Sequence, residues 1–223
     1  MRAVAVLLAA GGGSRLGRGP KALLPFRGRP LVEHLAGELR AGGCSDVVIV
    51  LGAGADEVIR QCRLEGYRVV RNADWASGMG SSFRLGVAAA EGADAVVVAL
   101  VDQPGVSATL IRRLLERHRP GRVTAAAYRA ETTVGENPDG GAAEHRRPAP
   151  ASGTVQPAEP RLQRGHPLVF DASLAVEAAA EAAGDAGARN YLRRRPELVD
   201  LVDCSDLGSA ADVDTPADLP LLD

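Results

Sequence analysis

The chain has 223 residues, of which 46% are hydrophobic and 24% charged, with a formal net charge of −2. That balance excludes wholesale disorder, and the length predicts one domain, 1–223, able to bury a core without disulfide or metal staples. An aromatic share of 3% and the absence of a basic excess exclude a stacking platform for single-stranded nucleic acid, so no nucleic-acid partner is expected.

The chain opens on an apolar run, Val4–Ala10, ended at once by Gly11-Gly12-Gly13. The run is too short to span a bilayer and lacks a signal-peptide cleavage pattern, so it predicts a buried strand and no membrane partner. Further runs rich in Val, Ile and Ala follow at Val47–Leu51, Arg68–Arg71, Ala95–Leu100 and Val123–Tyr128. They are continuous rather than alternating, the pattern of strands buried on both faces of a parallel sheet. Helical stretches lie between them: Leu31–Ala41, Ala55–Cys62, Ser81–Ala90 and Ser107–Arg119. In the last, Leu110, Ile111, Leu114 and Leu115 recur at helical spacing and Ser107 is placed to cap. The repeated strand–helix order predicts an α/β fold with a doubly wound sheet and right-handed crossovers. Cys44, Cys62 and Cys204 form no CxxC pair, which predicts neither a disulfide framework nor a zinc site and fits a reducing, cytoplasmic setting.

Residues 131–164 break the rhythm with five prolines, no aromatic residue and no Ile or Met. Such a stretch buries little apolar surface and predicts a mobile surface insertion, either inert or a substrate lid. Beyond it, Leu168–Phe170 and Leu198–Val202 read as strands, Leu174–Ala183 and Ala188–Arg194 as helices, and Pro216–Leu222 as a short terminal helix.

The chemistry-bearing residues cluster after the first strand, in Leu7-Leu8-Ala9-Ala10-Gly11-Gly12-Gly13-Ser14-Arg15-Leu16-Gly17 and Pro20-Lys21. Glycines at the carboxyl end of a parallel strand let backbone N–H groups approach phosphate, and Arg15 and Lys21 add positive charge. The spacing fails the dinucleotide fingerprint, because Leu16 stands where a third glycine is needed. It also fails the P-loop, because Arg18-Gly19 replaces Lys and Ser/Thr. A plain tight turn is the alternative reading. Farther on, Asn72 to Ser82 crowds small and hydroxyl residues at a helix start, suited to an anion or to simple capping. Asp102 at the end of a central strand suits Mg²⁺ between phosphates, or a turn cap. His166 in Gly165-His166-Pro167 is a lone histidine. In Asp212-Val213-Asp214-Thr215-Pro216 the acids either face the site or mark a strand end with Thr215 as N-cap. His34, His118 and His145 have no partner at ligand spacing. Arg193-Arg194-Arg195 reads as a solvated face or an anion site.

The glycine loop with Pro20-Lys21 and Leu24-Pro25-Phe26-x-Gly28-x-Pro30-Leu31 resembles the signature of the MobA-like NTP transferases. The Asn72–Ser82 stretch and Gly165-His166-Pro167 resemble the branch of molybdenum cofactor cytidylyltransferases. The resemblance implies a Rossmann-like, mostly parallel, three-layer sheet of the nucleotide-diphospho-sugar transferase type. It implies that Leu8, Ala9, Ala10, Gly11, Gly12, Gly13 and Ser14 wrap a nucleotide, joined by Asn72, Ser77, Gly78, Met79 and Ser82. Arg15 and Lys21 would contact the phosphates, Asp102 would be catalytic and hold Mg²⁺, and Asp214 would be a second metal ligand. Gly165, His166 and Pro167 would lie on the acceptor side. The implied reaction is transfer of NMP from an NTP, with CTP favoured, to a phosphate-bearing acceptor such as the molybdenum cofactor. A monomer or homodimer serving a molybdoenzyme partner is expected. Three alternatives stand beside it: a guanylyltransferase on molybdopterin or a phosphorylated small acid, an NAD(P)H-dependent reductase, and a non-catalytic nucleotide-binding module that delivers cofactor.

Overall fold

The structure, a computed structural model, describes residues 1–129 and 162–222. In chain order it contains β1 (Ala3–Ala9), β2 (Pro25–Phe26), β3 (Arg29–Pro30), α1 (Leu31–Ala41), β4 (Asp46–Leu51), α2 (Ala55–Gln61) and β5 (Arg68–Arg71). There follow α3 (Met79–Ala89), β6 (Ala95–Leu100), α4 (Ala108–Arg117), β7 (Val123–Arg129), β8 (Leu162–Asp171), α5 (Ala172–Glu181), α6 (Arg189–Arg194) and β9 (Val199–Asp203). The expected short terminal helix, Pro216–Leu222, is a 3₁₀ helix.

Seven strands form one sheet in the order β5-β4-β1-β6-β8-β7-β9, and β2 and β3 pair separately as a small hairpin. β5, β4, β1 and β6 run parallel, β8 runs antiparallel between β6 and β7, and β9 returns parallel to β7. All of β1 is buried, because both faces of the sheet are covered. Successive side chains leave a strand on opposite faces. Ala5, Leu7 and Ala9 therefore join Leu31, Leu35, Leu110 and Ile111 of α1 and α4 in one core. Val4, Val6 and Leu8 join Phe83, Val87, Leu174 and Ala178 of α3 and α5 in the other. Each fully buried Leu or Phe contributes about 1.5–3 kcal/mol relative to exposure, so the two apolar layers on either side of a continuous sheet dominate the fold. Ser107 caps α4 as expected, its Oγ accepting from the Leu110 N–H at 3.3 Å.

One glycine sets the spacing of a layer. A Cβ at Gly86 would collide with Val6 Cγ1, so the absence of a side chain lets α3 lie against β1. That close approach brings the start of α3 to the carboxyl end of β1.

Three expectations are corrected. β5 is not buried on both faces: Arg68 and Arg71 are exposed, because the strand lies at the sheet edge. There Arg68 pairs with Asp46 at 2.7 Å, and Arg71 pairs with Asp56. Residues 162–164, read as part of the insertion, belong to β8, whose ladder with β7 extends to Leu162 opposite Arg129. The remainder of the predicted insertion, 131–161, lies outside the described residues. Thr215 does not cap through its side chain. Its N–H and Oγ1 instead donate to Asp218 at 2.7 and 2.9 Å.

Asp200 ties β9 to the turn before β7, accepting from Arg122 at 2.6 Å and Arg119 at 2.9 Å. The hydrogen bond from Arg122, joined by Arg119, holds its carboxyl down at about 2 against the opposing effect of burial. A depressed folded-state value contributes stability above the ordinary aspartate range that is lost as pH falls through about 2. Wild type and Asp200→Asn should therefore differ in urea stability at pH 5 and converge as pH approaches 2. A gap independent of pH would exclude the ion pair as its source.

Candidate active site

The strand order reverses at β1, which has β4 on one side and β6 on the other. In open α/β sheets ligands bind outside the carboxyl ends of the strands at such a switch point. Here those ends carry Ala10-Gly11 after β1 and Val101-Asp102 after β6. They are held in register by Val101 N–H to the Leu8 carbonyl, 3.0 Å, and Ala53 N–H to the Ala10 carbonyl, 3.0 Å.

The loop after β1 folds back on itself. Gly13 adopts φ +61°, where a Cβ would run into the Gly19 carbonyl, and its own carbonyl accepts from Leu16 and Gly17 at 3.0 and 3.1 Å. This bend carries the chain to Lys21, which opens the 3₁₀ turn Lys21–Leu23. The Lys21 side chain is only 12% exposed and lies between two carboxylates from distant segments. Its Nζ donates to Asp102 Oδ2 at 2.9 Å and also to Asp214 Oδ1. Burial works against the ammonium, but the hydrogen bond to Asp214 and the charge of Asp102 outweigh it and raise its pKa above the usual lysine value. Arg15, largely exposed, approaches Asp214 at 3.7 Å. The segment bearing Asp214 is pinned to β6 by Val213 N–H to the Asp102 carbonyl, 2.8 Å. Burial raises the carboxyl of neighbouring Asp212, opposed by a hydrogen bond from Gln103.

Lys21 and Asp102 border a cleft of about 370 Å³, whereas Asp214, expected as a second metal ligand, reaches Lys21 but does not line it. Of the residues expected at a nucleotide, Leu8, Ala10, Gly11, Ser14, Gly78, Met79 and Ser82 line it, as do Arg15, Lys21 and Asp102. Ala9, Gly12, Gly13, Asn72 and Ser77 do not. Ala9 is buried in the sheet, and Gly13 shapes the loop from behind. Gly12 lies under the Trp75 ring, its Cβ direction 3.8 Å from that ring. Ser77 donates to Asp74. Asn72 is buried and spends its amide within the protein: Nδ2 donates to Ser81 and Ser82 at 2.8 and 2.9 Å, and Oδ1 accepts from Asp74 N–H at 2.9 Å. It thereby fixes the turn that presents Gly78, Met79 and Ser82 at the start of α3.

Gly165, His166 and Pro167 sit on β8, beyond β6, and do not line this cleft. Burial pushes the His166 imidazole down to about 4; Asp102 opposes this, and Arg164 and Arg189 reinforce it. The ring is therefore neutral at pH 7. Its main-chain carbonyl accepts from the Tyr128 hydroxyl at 3.1 Å, and its bond to Pro167 is cis.

Trp75, which stands in the Asn72–Ser82 stretch, also borders the cleft, as do Ala76, Leu100, Val101 and Asp185, which the sequence reading missed. Trp75 and Met79 are 40% and 38% exposed, unusual for large apolar side chains, and both face it. Leu100 and Val101 were detectable as the strand end before Asp102. Asp185 carried no signal, because it arrives through the turn between α5 and α6, which packs against Gly78.

The histidines set aside earlier are structural where described. His34 is buried with Nδ1 2.9 Å from Arg29 and its ring edge-on to Phe26. His118 Nδ1 lies 3.1 Å from Thr124 Oγ1, and His145 falls outside the described residues. Arg194 and Arg195 both pair with Glu181, and Arg195 also lies over Tyr191. Their charge is taken up by Glu181 at the surface, which accords with the reading of that run as a solvated face.

Among the described residues no group of three or more His, Cys, Asp or Glu could hold a metal. Asp102 and Asp214 supply hard oxygen ligands, and Asp102 Oδ1 is buried without a hydrogen-bond partner there. An orphaned carboxylate oxygen at the rim of a polar cleft fits a divalent cation completed by substrate phosphates. No helix among the described residues is long and apolar enough to cross a membrane.

Residues 5–199 match the MobA-like NTP transferase domain. The chain is 52% identical to nicotine blue oxidoreductase of Paenarthrobacter nicotinovorans over 94% of its own length and 91% of that protein's. It superposes on the Rv0371c protein of Mycobacterium tuberculosis H37Rv in complex with manganese with a TM-score of 0.70 and 25% identity, covering 100% of this chain and 98% of that one. It also shares its fold with a nucleotidyl transferase from Methanothermobacter thermautotroptrophicus, with a TM-score of 0.72, 22% identity and coverage of 99% and 96%.

Asn72→Ala should cost about 1–3 kcal/mol, since it strips buried hydroxyls of a partner. Urea unfolding measures this; unchanged stability would remove Asn72 from the support of the α3 start.

Proposed function

Because this chain belongs to the MobA-like NTP transferase family, we propose that it transfers a nucleotidyl group from an NTP, with CTP as favoured donor, to a phosphate-bearing acceptor of the molybdenum-cofactor kind. Pyrophosphate is the second product. The observation that carries this reading is Lys21 bridging Asp102 and Asp214 at the rim of the switch-point cleft. It joins the phosphate-facing loop to a carboxylate pair within one small volume.

In this reading the backbone of Ala10 to Ser14 and the start of α3 receive the nucleotide, and Arg15 and Lys21 receive its phosphates. Helix starts and inward N–H groups favour anions, and charge-assisted contacts are the stronger ones. An acceptor phosphate oxygen attacks the α-phosphorus in line while the bond to the leaving pyrophosphate breaks. Two anions must approach each other, so positioning and charge neutralisation carry most of the catalysis. Asp102 and Asp214 would hold a divalent cation, which would supply Lewis-acid neutralisation of the phosphates. Trp75 and Met79 offer an apolar wall for a planar ring. Neutral His166 stands on the acceptor side as a hydrogen-bonding group rather than a charge. The protein works as a monomer or homodimer, and a molybdoenzyme receives the finished cofactor.

A second reading, supported by the similarity to nicotine blue oxidoreductase, is an NAD(P)H-dependent reductase in which the same loop takes a dinucleotide. The failed dinucleotide fingerprint weighs against it.

With Mg²⁺ and molybdopterin, CTP should raise the melting temperature and release pyrophosphate, whereas NADPH should be left unoxidised. NADPH oxidation of an acceptor dye without any pyrophosphate release would transfer the assignment to the reductase. Asp102→Ala should lower kcat by on the order of 10²–10³ with its fold intact. In calorimetry, Lys21→Ala should weaken CTP by roughly tenfold or more, the loss of one charged hydrogen bond. Wild-type turnover in the first variant, or undiminished affinity in the second, would remove that residue from the mechanism.

A further inference from the structure

We propose that Gln103 is a positioning residue that sets Asp214 against Asp102, acting through a hydrogen bond to Asp212. The proposal rests on the reading of Asp102 and Asp214 as cation ligands. The two acids come from segments more than a hundred residues apart, so their separation must be imposed by contacts between those segments. Two such contacts flank the pair. One is the main-chain bond from Val213 N–H to the Asp102 carbonyl, 2.8 Å. The other is Gln103 Nε2 donating to Asp212 Oδ1 at 2.7 Å.

Their geometry is that of a splint. Val213 is fully buried and cannot rotate away. The main-chain bond fixes Val213, and Lys21 holds Asp214 from the loop side. The Gln103–Asp212 bond, next to Val213 and two residues before Asp214, adds a side-chain anchor from the end of β6. Gln103 is itself only 5% exposed, and its Oε1 has no partner among the described residues. Burying an amide oxygen unpaired costs free energy. An apolar side chain would fill the space without that cost, so what the amide contributes there is its donor. A neutral donor is also the group that can approach Asp212 without competing with Lys21 for Asp102 and Asp214. A glutamate in its place would add a fourth acid to the cluster.

Groups hydrogen-bonded directly to metal ligands change affinity by about 10–100-fold when removed, and Gln103 acts one bond further out, so the lower end of that range is expected. The test is Mn²⁺ binding followed by the free-ion EPR signal, with thermal unfolding measured in parallel. Wild type should bind Mn²⁺. Gln103→Leu and Asp212→Ala should each weaken binding by about tenfold or more, and the double variant should be no weaker than either alone. Asp212→Asn keeps an acceptor oxygen for Gln103 and should stay within about threefold of wild type. Equal binding by wild type and Gln103→Leu overturns the proposal, as does an additive double variant. Loss in Asp212→Asn equal to that in Asp212→Ala also overturns it, making the charge of Asp212 the operative feature. If Gln103→Leu is unfolded, the two Asp212 variants decide alone. Failure of wild type to bind Mn²⁺ refutes the cation site itself, a result distinct from a bound wild type with indifferent variants.

Discussion

Lys21 neutralises two carboxylates that the fold would otherwise hold together at a cost. Asp102 ends a central strand and Asp214 lies near the chain end, and each is brought to the same rim by packing that leaves it little choice of position. Unit charges 4 Å apart interact by about 4 kcal/mol at an effective dielectric of 20. Two acids at the rim without a cation would therefore oppose the docking of the 212–214 segment. With the ammonium between them the segment docks, Val213 reaches the core, and the cleft acquires its polar wall. The same ammonium is the group best placed to meet a phosphate. Structural neutralisation and substrate recognition thus draw on one side chain.

The opposite wall depends on apolar packing rather than charge. Gly86 lets α3 settle on β1, and Asn72 ties the turn before α3 to Ser81 and Ser82. Gly78 at φ +112° presses against the α5–α6 turn, which brings Asp185 to the cleft edge. Movement of α5 would therefore be felt at the cleft through Gly184. The two walls are built by different physics and meet at the loop of Ala10 to Ser14.

Much of this was readable from the sequence, for identifiable reasons. β1, β6 and α1 were delimited correctly because their buried residues are consecutive or at helical spacing, and glycine or proline stands close after β1 and on both sides of α1. The glycine loop with Arg15 and Lys21, and Asp102 at a strand end, announced a polar cleft through residue type and position alone. The edge character of β5 was less legible, because Val69 and Val70 look like core while the neighbouring strand that would cover them is absent from the sheet. The antiparallel insertion of β8 was invisible, since strand direction is not written in local composition. Asn72 and Ser77 stand in a motif suited to a ligand, but their polar atoms are used by neighbouring backbone and hydroxyls. Residue type could not distinguish those uses. Asp185 and the Gln103–Asp212 bond depend on contacts between distant segments, which periodicity does not encode.

Charge arithmetic at the rim bears on the choice between readings. Asp102, Asp212 and Asp214 face Lys21 and Arg15, an excess of acid over base before any substrate arrives. A nucleoside triphosphate is strongly anionic and would meet that excess with repulsion. A divalent cation reverses the balance at the point where the orphaned Asp102 oxygen lies. The diphosphate of a dinucleotide carries less charge, and hydride transfer develops none at phosphorus, so a reductase would gain little from so many acids beside the loop. A carboxylate-rich rim would be costly for a dinucleotide and would suit a triphosphate accompanied by a divalent cation, and this weighs on the side of the proposed nucleotidyl transfer against the reading drawn from the oxidoreductase relative.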